Sequence, residues 1–221
     1  MKKLTTAAKN RIARDWSEVL SDYTIIKPLH WVKRYGPLLI GVYMKPVYGG
    51  EHYVPIVHTH SLMTVFPVIS LVCPLPMYDA RGREESISFI RHSQEFQYIA
   101  AAFRSQYSAI LTEPITYAAM QQWYDASIRS ATDYPVQAMT DAVLLSWWCN
   151  EMQQAEALIL SYSAMIAIWP AAASTRFGGS AGWEQRVRAQ ANHEQLHHTA
   201  TAELTKFKLD TLQDYGLISS D

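Results

Sequence analysis

Hydrophobic positions recur at two different periods along the chain, and the change of period divides it. In Thr5 to Tyr23, Ile12, Trp16 and Leu20 follow one another at steps of four. Lys9, Arg11, Arg14, Asp15 and Glu18 fall mainly on other faces. That spacing predicts an amphipathic first helix with Thr5 or Thr6 as its cap. Pro28 closes the region, and Leu29-His30-Trp31-Val32 reads as a short strand or turn, with His30 a packing residue beside Trp31. The period then shifts. Leu38 to Val47 is rich in Leu, Ile, Val and Tyr, Tyr48-Gly49-Gly50-Glu51 supplies a reversal, His52 to Val57 alternates loosely, and Val65 to Cys73 is a second β-branched run. Paired glycines between short apolar runs predict an antiparallel meander of about three strands. Pro46, Pro55 and Pro67 cannot donate to a ladder, which puts them at edges or bulges.

Helical spacing returns after the connection Pro74 to Gly82. From about Glu84 to Leu111, Phe89, Phe96, Phe103, Tyr107 and Ile110 share one face, and Arg91, His92 and Glu95 read as its solvated side. A further helix starts at Pro114, with Thr112 as cap, and runs to about Ser130 with Tyr117, Met120, Trp123 and Tyr124 as its apolar part. Val136 to Trp169 carries the block Val143, Leu144, Trp147 and Trp148. Ala157 to Ala173 is uncharged, but it is short for a membrane span and is interrupted by Ser161, Ser163 and Pro170, so it reads as a buried core helix. Pro170 to Gly182 reads as a loop, and Trp183 to Tyr215 as a last helix closed by Gly216. The fold class expected is α+β: a small antiparallel meander over about residues 38–73, packed against four to five helices. The chain 1–221 reads as one domain, with a sheet-bearing half up to residue 80 and a helical half from 81.

Composition narrows the function classes. A chain of 221 residues with 49% hydrophobic and 18% charged content can build a sizeable ordered core. A net charge of −1 gives no dominant basic surface, so neither a nucleic acid nor an anionic membrane is indicated as partner. Cys73 and Cys149 both lie in apolar runs, and the N-terminus MKKLTTAAKNRIARDW has no apolar core of a signal peptide; a reducing cytoplasm is the expected location.

Candidate chemistry rests on histidine. His58 and His60 are two apart, so on a strand they point to one face, a spacing that suits two imidazoles on a divalent transition metal such as zinc. No carboxylate follows in Ser61-Leu62-Met63-Thr64-Val65 to complete a jelly-roll metal site. His193-Glu194-Gln195-Leu196-His197 spells HExxH, which in zinc metalloproteases places two histidine ligands on one helix face and uses the glutamate to activate the metal-bound water. Here His193, His197, Ala200, Leu204 and Phe207 form one stripe, which predicts that both histidines look inward. The further Gly and His of the longer protease motif are missing; Ala200 and Glu203 stand in that region. Glu194-x-x-His197 occurs once, where a carboxylate-bridged di-iron bundle needs two such pairs. The paired spacings add a further hypothesis, a combined centre in which His58 and His60 from the sheet meet His193 and His197 from the last helix; in the hydrolytic reading Glu194 is the base.

No GxxxxGK[ST], GxGxxG, GxSxG or CxxC is present, which counts against common NTPases, dehydrogenases, hydrolases and redox proteins. Two readings of function remain. The first is a non-enzymatic cytoplasmic subunit that binds another protein or self-associates, resting on seven Trp, thirteen Tyr and eight Met, residue types enriched at interface centres. The second is a metal-dependent hydrolase using the HExxH helix, the HxH strand or both.

Overall fold

The computed structural model describes residues 5–111 and 114–219. Helix α1 (Thr6–Val19) leads into β1 (Thr24–Lys27), β2 (His30–Tyr35), β3 (Leu38–Val47) and β4 (His52–Ser61), then β5 (Val72–Pro76) and the two-residue β6 (Ile87–Ser88). The strands pair antiparallel in the order β1-β2-β3-β4-β5, a meander, and β6 pairs with β4. The fold is α+β, as the hydrophobic periods predict. The sheet is larger than expected, because it begins at Thr24. Leu29-His30-Trp31-Val32 belongs mostly to a full strand, joined to β3 by a tight turn in which Gly36 takes a positive φ of 56°.

Two expectations, one of strand and one of helix, fail for one reason: a competing partner takes the backbone donor. Val65 to Leu71 is irregular chain and not strand. Pro67 offers no N–H, and the Phe66 N–H donates to the Glu203 carboxylate at 3.0 Å instead of to a ladder. Residues 84–91 are not helical. The Glu85 N–H donates to Met77 O, Ile87 pairs with Tyr53, and the helix starts only at α2 (His92–Gln106), followed by the short α3 (Ser108–Leu111).

The remaining helices are α4 (Tyr117–Ser130), α5 (Val136–Trp148), α6 (Met152–Ala167), α7 (Ala171–Arg176), α8 (Gly179–Gln190) and α9 (His193–Lys206). Thr5 caps α1 by accepting from the Ala8 N–H, and Thr116 caps α4; the expected cap Thr112 lies outside the described residues. Asn150, at a φ of 62°, ends α5, and the Glu151 N–H reaches back to Ser146 O at 2.8 Å, closing the left-handed stop that splits the long 136–169 pattern. The expected 170–182 loop is largely α7 and the start of α8. The expected last helix is broken at Asn192, whose side chain accepts from the Gln195 N–H and starts α9 afresh. That helix stops at Lys208, with a φ of 59° and a Leu209 N–H to Leu204 O bond of 2.8 Å; Gly216 sits in the irregular tail and caps no helix. Among the described residues no helix is long and apolar enough to cross a membrane.

The sheet has two covered faces. Trp31, Tyr35, Leu38, Ile40, Val42 and Val57 point into the larger core, which α1, α2, α4, α5 and α6 complete with Trp16, Phe103, Tyr124 and Leu144. Val32 and Leu39 point the other way, into a smaller core closed by Leu62, Ala200 and Leu204 of α9, and Leu209.

Candidate functional site

The register of the sheet decides what the histidines do. Gly41 pairs with Val32 on one side and with His58 on the other, and Tyr43 pairs with His30. His30, Gly41 and His58 therefore share the smaller-core face. A Cβ on Gly41 would overlap Nε2 and Cε1 of His58, so the missing side chain is the space the imidazole fills. Across it, His30 Nε2 and His58 Nε2 lie 2.8 Å apart. His58 Nδ1 faces Thr59 O at 3.3 Å, which assigns its proton there and makes His30 Nε2 the donor of the pair. Both rings are neutral: desolvation lowers His30 to about 3 and His58 to about 4.

His60 shares that face, as the two-residue spacing predicts, and is fully buried. Its Nδ1 accepts from the Ser70 N–H at 3.1 Å and lies 2.8 Å from Ser70 Oγ, and the ring packs against Phe66 and Phe207. Its Nε2 is buried with no hydrogen-bond partner among the described residues. Desolvation lowers it to about 4.

The HExxH helix faces otherwise than predicted. Leu196, Ala200, Glu203 and Leu204 are its buried residues; His193, Glu194 and His197 are exposed. The His197 ring stacks on Trp148 at 3.9 Å between centroids, with His193 beside it at 4.4 Å. The cause is the stripe chosen: Leu196, not His197, turns inward, and it carries Ala200 and Leu204 with it. Among the described residues no three of His, Cys, Asp and Glu gather so as to hold a metal ion. The donors do not fit a zinc centre, since His30 and His58 are engaged with each other and His60 with Ser70, while His193 and His197 lie against Trp148.

The sequence hid two polar constructions. One is a relay that ties α1 and α2 to β4. The Trp16 indole N–H donates to Tyr53 Oη at 3.0 Å, the Tyr53 hydroxyl donates to His92 Nδ1 at 2.7 Å, and His92 Nε2–H donates to Asp15 at 3.1 Å. Tyr53 and His92 are fully buried, so His92 is no part of a solvated helix face. The other is Asp141 on α5, fully buried, with Oδ1 accepting from the Gln137 amide at 2.7 Å and Oδ2 without a partner among the described residues. Desolvation raises this carboxyl to about 8, against the smaller downward pull of Gln137 and the nearby Ser61 hydroxyl, so it is neutral at pH 7. Burial pushes the Cys73 thiol up to about 12, which makes it a packed thiol and no nucleophile.

Two surface features remain open for binding. A cleft of about 790 Å³ lies between the Met63–Phe66 turn and helices α5, α7, α8 and α9, and a second of about 480 Å³ shares its Asp133, Tyr134 and Gln137 wall. The other feature is α6. It is not the all-round buried helix its composition predicts: Ala155, Ile159, Tyr162 and Ile166 face the core, whereas Ala157, Leu160, Ser161, Ala164 and Ala167 face out, continued by Ile168. Leu160 is 65% and Ile168 83% exposed. Compared with family models, curated proteins and solved structures, the chain matches none.

Proposed function

We propose that the chain is a non-enzymatic, cytoplasmic protein-binding subunit, and that a second protein chain docks on the outward face of α6. The supporting observation is the uncharged stripe Ala157, Leu160, Ser161, Ala164, Ala167 and Ile168, left uncovered on a helix whose other face is core. Continuous exposed apolar surface costs solubility and marks interaction sites. The small residues of the stripe let a partner helix approach closely while Leu160 and Ile168 supply area to bury. The metal-dependent hydrolase reading has no comparable support, because the exposed HExxH residues meet no third ligand among the described residues.

The test uses a photo-crosslinking amino acid at position 160 and, as control, at the exposed Thr201 of α9. A discrete stoichiometric complex is expected from position 160 and not from position 201. Leu160→Glu should abolish the same complex in native mass measurements while leaving the unfolding transition in place. A purified protein that stays monomeric, and that crosslinks in cells no more specifically at 160 than at 201, refutes the reading.

A further inference from the structure

We infer that the cleft beside α8 holds an extended, acidic segment of another polypeptide, with one of the segment's carboxylates seated between Arg176 and Arg186. Three observations carry this. The first is shape. The two depressions share the wall formed by Asp133, Tyr134 and Gln137, so together they make a trough rather than a round pocket, suited to a chain running along it. The second is lining. Gln190 and Gln195 place amide groups that both donate and accept, the pattern needed by a main chain that offers an N–H and a C=O at every residue. Phe66, Tyr134 and Phe177 add the flat apolar walls.

The third is charge. Arg176 and Arg186 line the cleft against a single acid, Asp133. Phe177 gathers them: Arg186 donates to its carbonyl, and the Arg176 guanidinium sits 5.5 Å from its ring centroid. Neither is in an ion pair among the described residues. Two residues further along α8, Arg188 is held by both Glu156 and Glu184. Acids are thus supplied on the outer side of α8 and withheld on the cleft side. Two guanidiniums with free N–H groups, one of them braced on Phe177 O, form a receptor for a carboxylate, which accepts two parallel bonds from a planar fork.

The experiment selects random peptides displayed on phage against the whole chain, then maps the bound peptides by hydrogen exchange and measures affinity by fluorescence anisotropy. Peptides that protect Phe66, Tyr134 and the α7–α8 segment should be enriched in Asp or Glu. Replacing that acid by its amide, or Arg176→Gln in the protein, should each weaken binding roughly tenfold, and doing both should cost little more than either alone. Arg176 is the informative position, since Arg186 also braces Phe177 O. Arg176→Glu should in turn prefer the peptide whose acid is changed to Lys. Leu160→Glu should leave peptide binding unchanged, so this inference and the α6 reading fail separately. Cleft binders with no acidic preference overturn it. So does a library that yields no cleft binder, or a single-stranded oligonucleotide that occupies the cleft more tightly than any peptide.

Discussion

Gly41→Ala isolates the contact on which the smaller core turns. Gly41 does not adopt a positive φ, so its backbone suits any residue, and a strand would ordinarily gain from the exchange by about 0.5–1 kcal/mol. The added Cβ, however, would overlap Nε2 and Cε1 of His58 and lie 3.0 Å from Cδ2. Carbon contacts settle at about 3.5–4.0 Å, so ring or strand has to move. The His58 ring is fully buried and held at 2.8 Å by His30, so it has no free space to swing into. Overpacking costs about 1–3 kcal/mol, and parting the two imidazoles leaves buried polar atoms at about 1–3 kcal/mol more. Less the propensity gain, the net loss expected is about 1–5 kcal/mol, against a typical total of about 5–15 kcal/mol. Urea unfolding of Gly41→Ala, His58→Ala and the double variant measures it. Removing the ring removes the clash, so the double variant should be more stable than the sum of the singles requires by at least about 2 kcal/mol. A single variant within about 1 kcal/mol of the natural chain, or costs that simply add, refutes the reasoning.

The pH profile of stability follows from four buried groups. Desolvation lowers His30 to about 3 and His58 and His60 to about 4, from an ordinary 6.5. As pH falls below that ordinary value the unfolded chain takes up protons that the folded one refuses, at about 1.4 kcal/mol per pH unit for each group. Asp141, raised to about 8 by burial, works the other way: its contribution is complete below the unfolded carboxyl value and drains as pH climbs to about 8. Melting temperature should therefore peak near pH 6.5 and fall steeply with acid; a flat profile from neutrality into mild acid contradicts the burial of the imidazoles. Asp141→Asn should keep the bond from Gln137 and flatten the alkaline side, with its advantage over the natural chain growing by about 1.4 kcal/mol per unit up to about pH 8. Tyr53→Phe leaves Trp16 Nε1 and His92 Nδ1 unsatisfied in the core and should cost about 2–4 kcal/mol in chemical denaturation. Zinc or a chelator should shift the melting temperature by less than about 1 °C, whereas a ligand bound at a hundred times its dissociation constant would add about 2.7 kcal/mol.

The parts of the fold legible in the sequence are those where local pattern and tertiary role coincide. Ile12, Trp16 and Leu20 are spaced as one helix face and are all buried, and the Tyr48–Glu51 reversal does join two paired strands. The errors fall where a distant residue outbids the local pattern. Val65 to Leu71 has strand composition, yet Glu203, far along the chain, takes the Phe66 N–H. The segment from Glu84 reads as the start of a helix, yet Tyr53 captures its Ile87 for the sheet. The helix stop at Lys208 is hidden for a different reason: a lysine takes the left-handed conformation there and nothing local announces it, whereas Asn150, at the start of a polar interruption, is a residue that tolerates that conformation.

The site was half legible, and the missing half was register. That His58 and His60 share a face follows from the period of a strand alone. That His30 joins them requires knowing that β2 and β4 flank the same β3, and that the residue between the two rings is the one without a side chain. Gly41 reads in isolation as a weakness in a strand; in register it is the slot that lets two imidazoles meet. The HExxH motif illustrates the converse. Its spacing puts two histidines on one face but does not say which face the fold buries, and Leu196 outweighs His197 because an aliphatic side chain loses nothing polar on burial. A metal site could have tipped that balance only if further ligands waited across the interface. Leu39, Val32 and Leu62 wait there instead, and a helix that meets them turns its leucines inward and leaves its histidines to stack on Trp148.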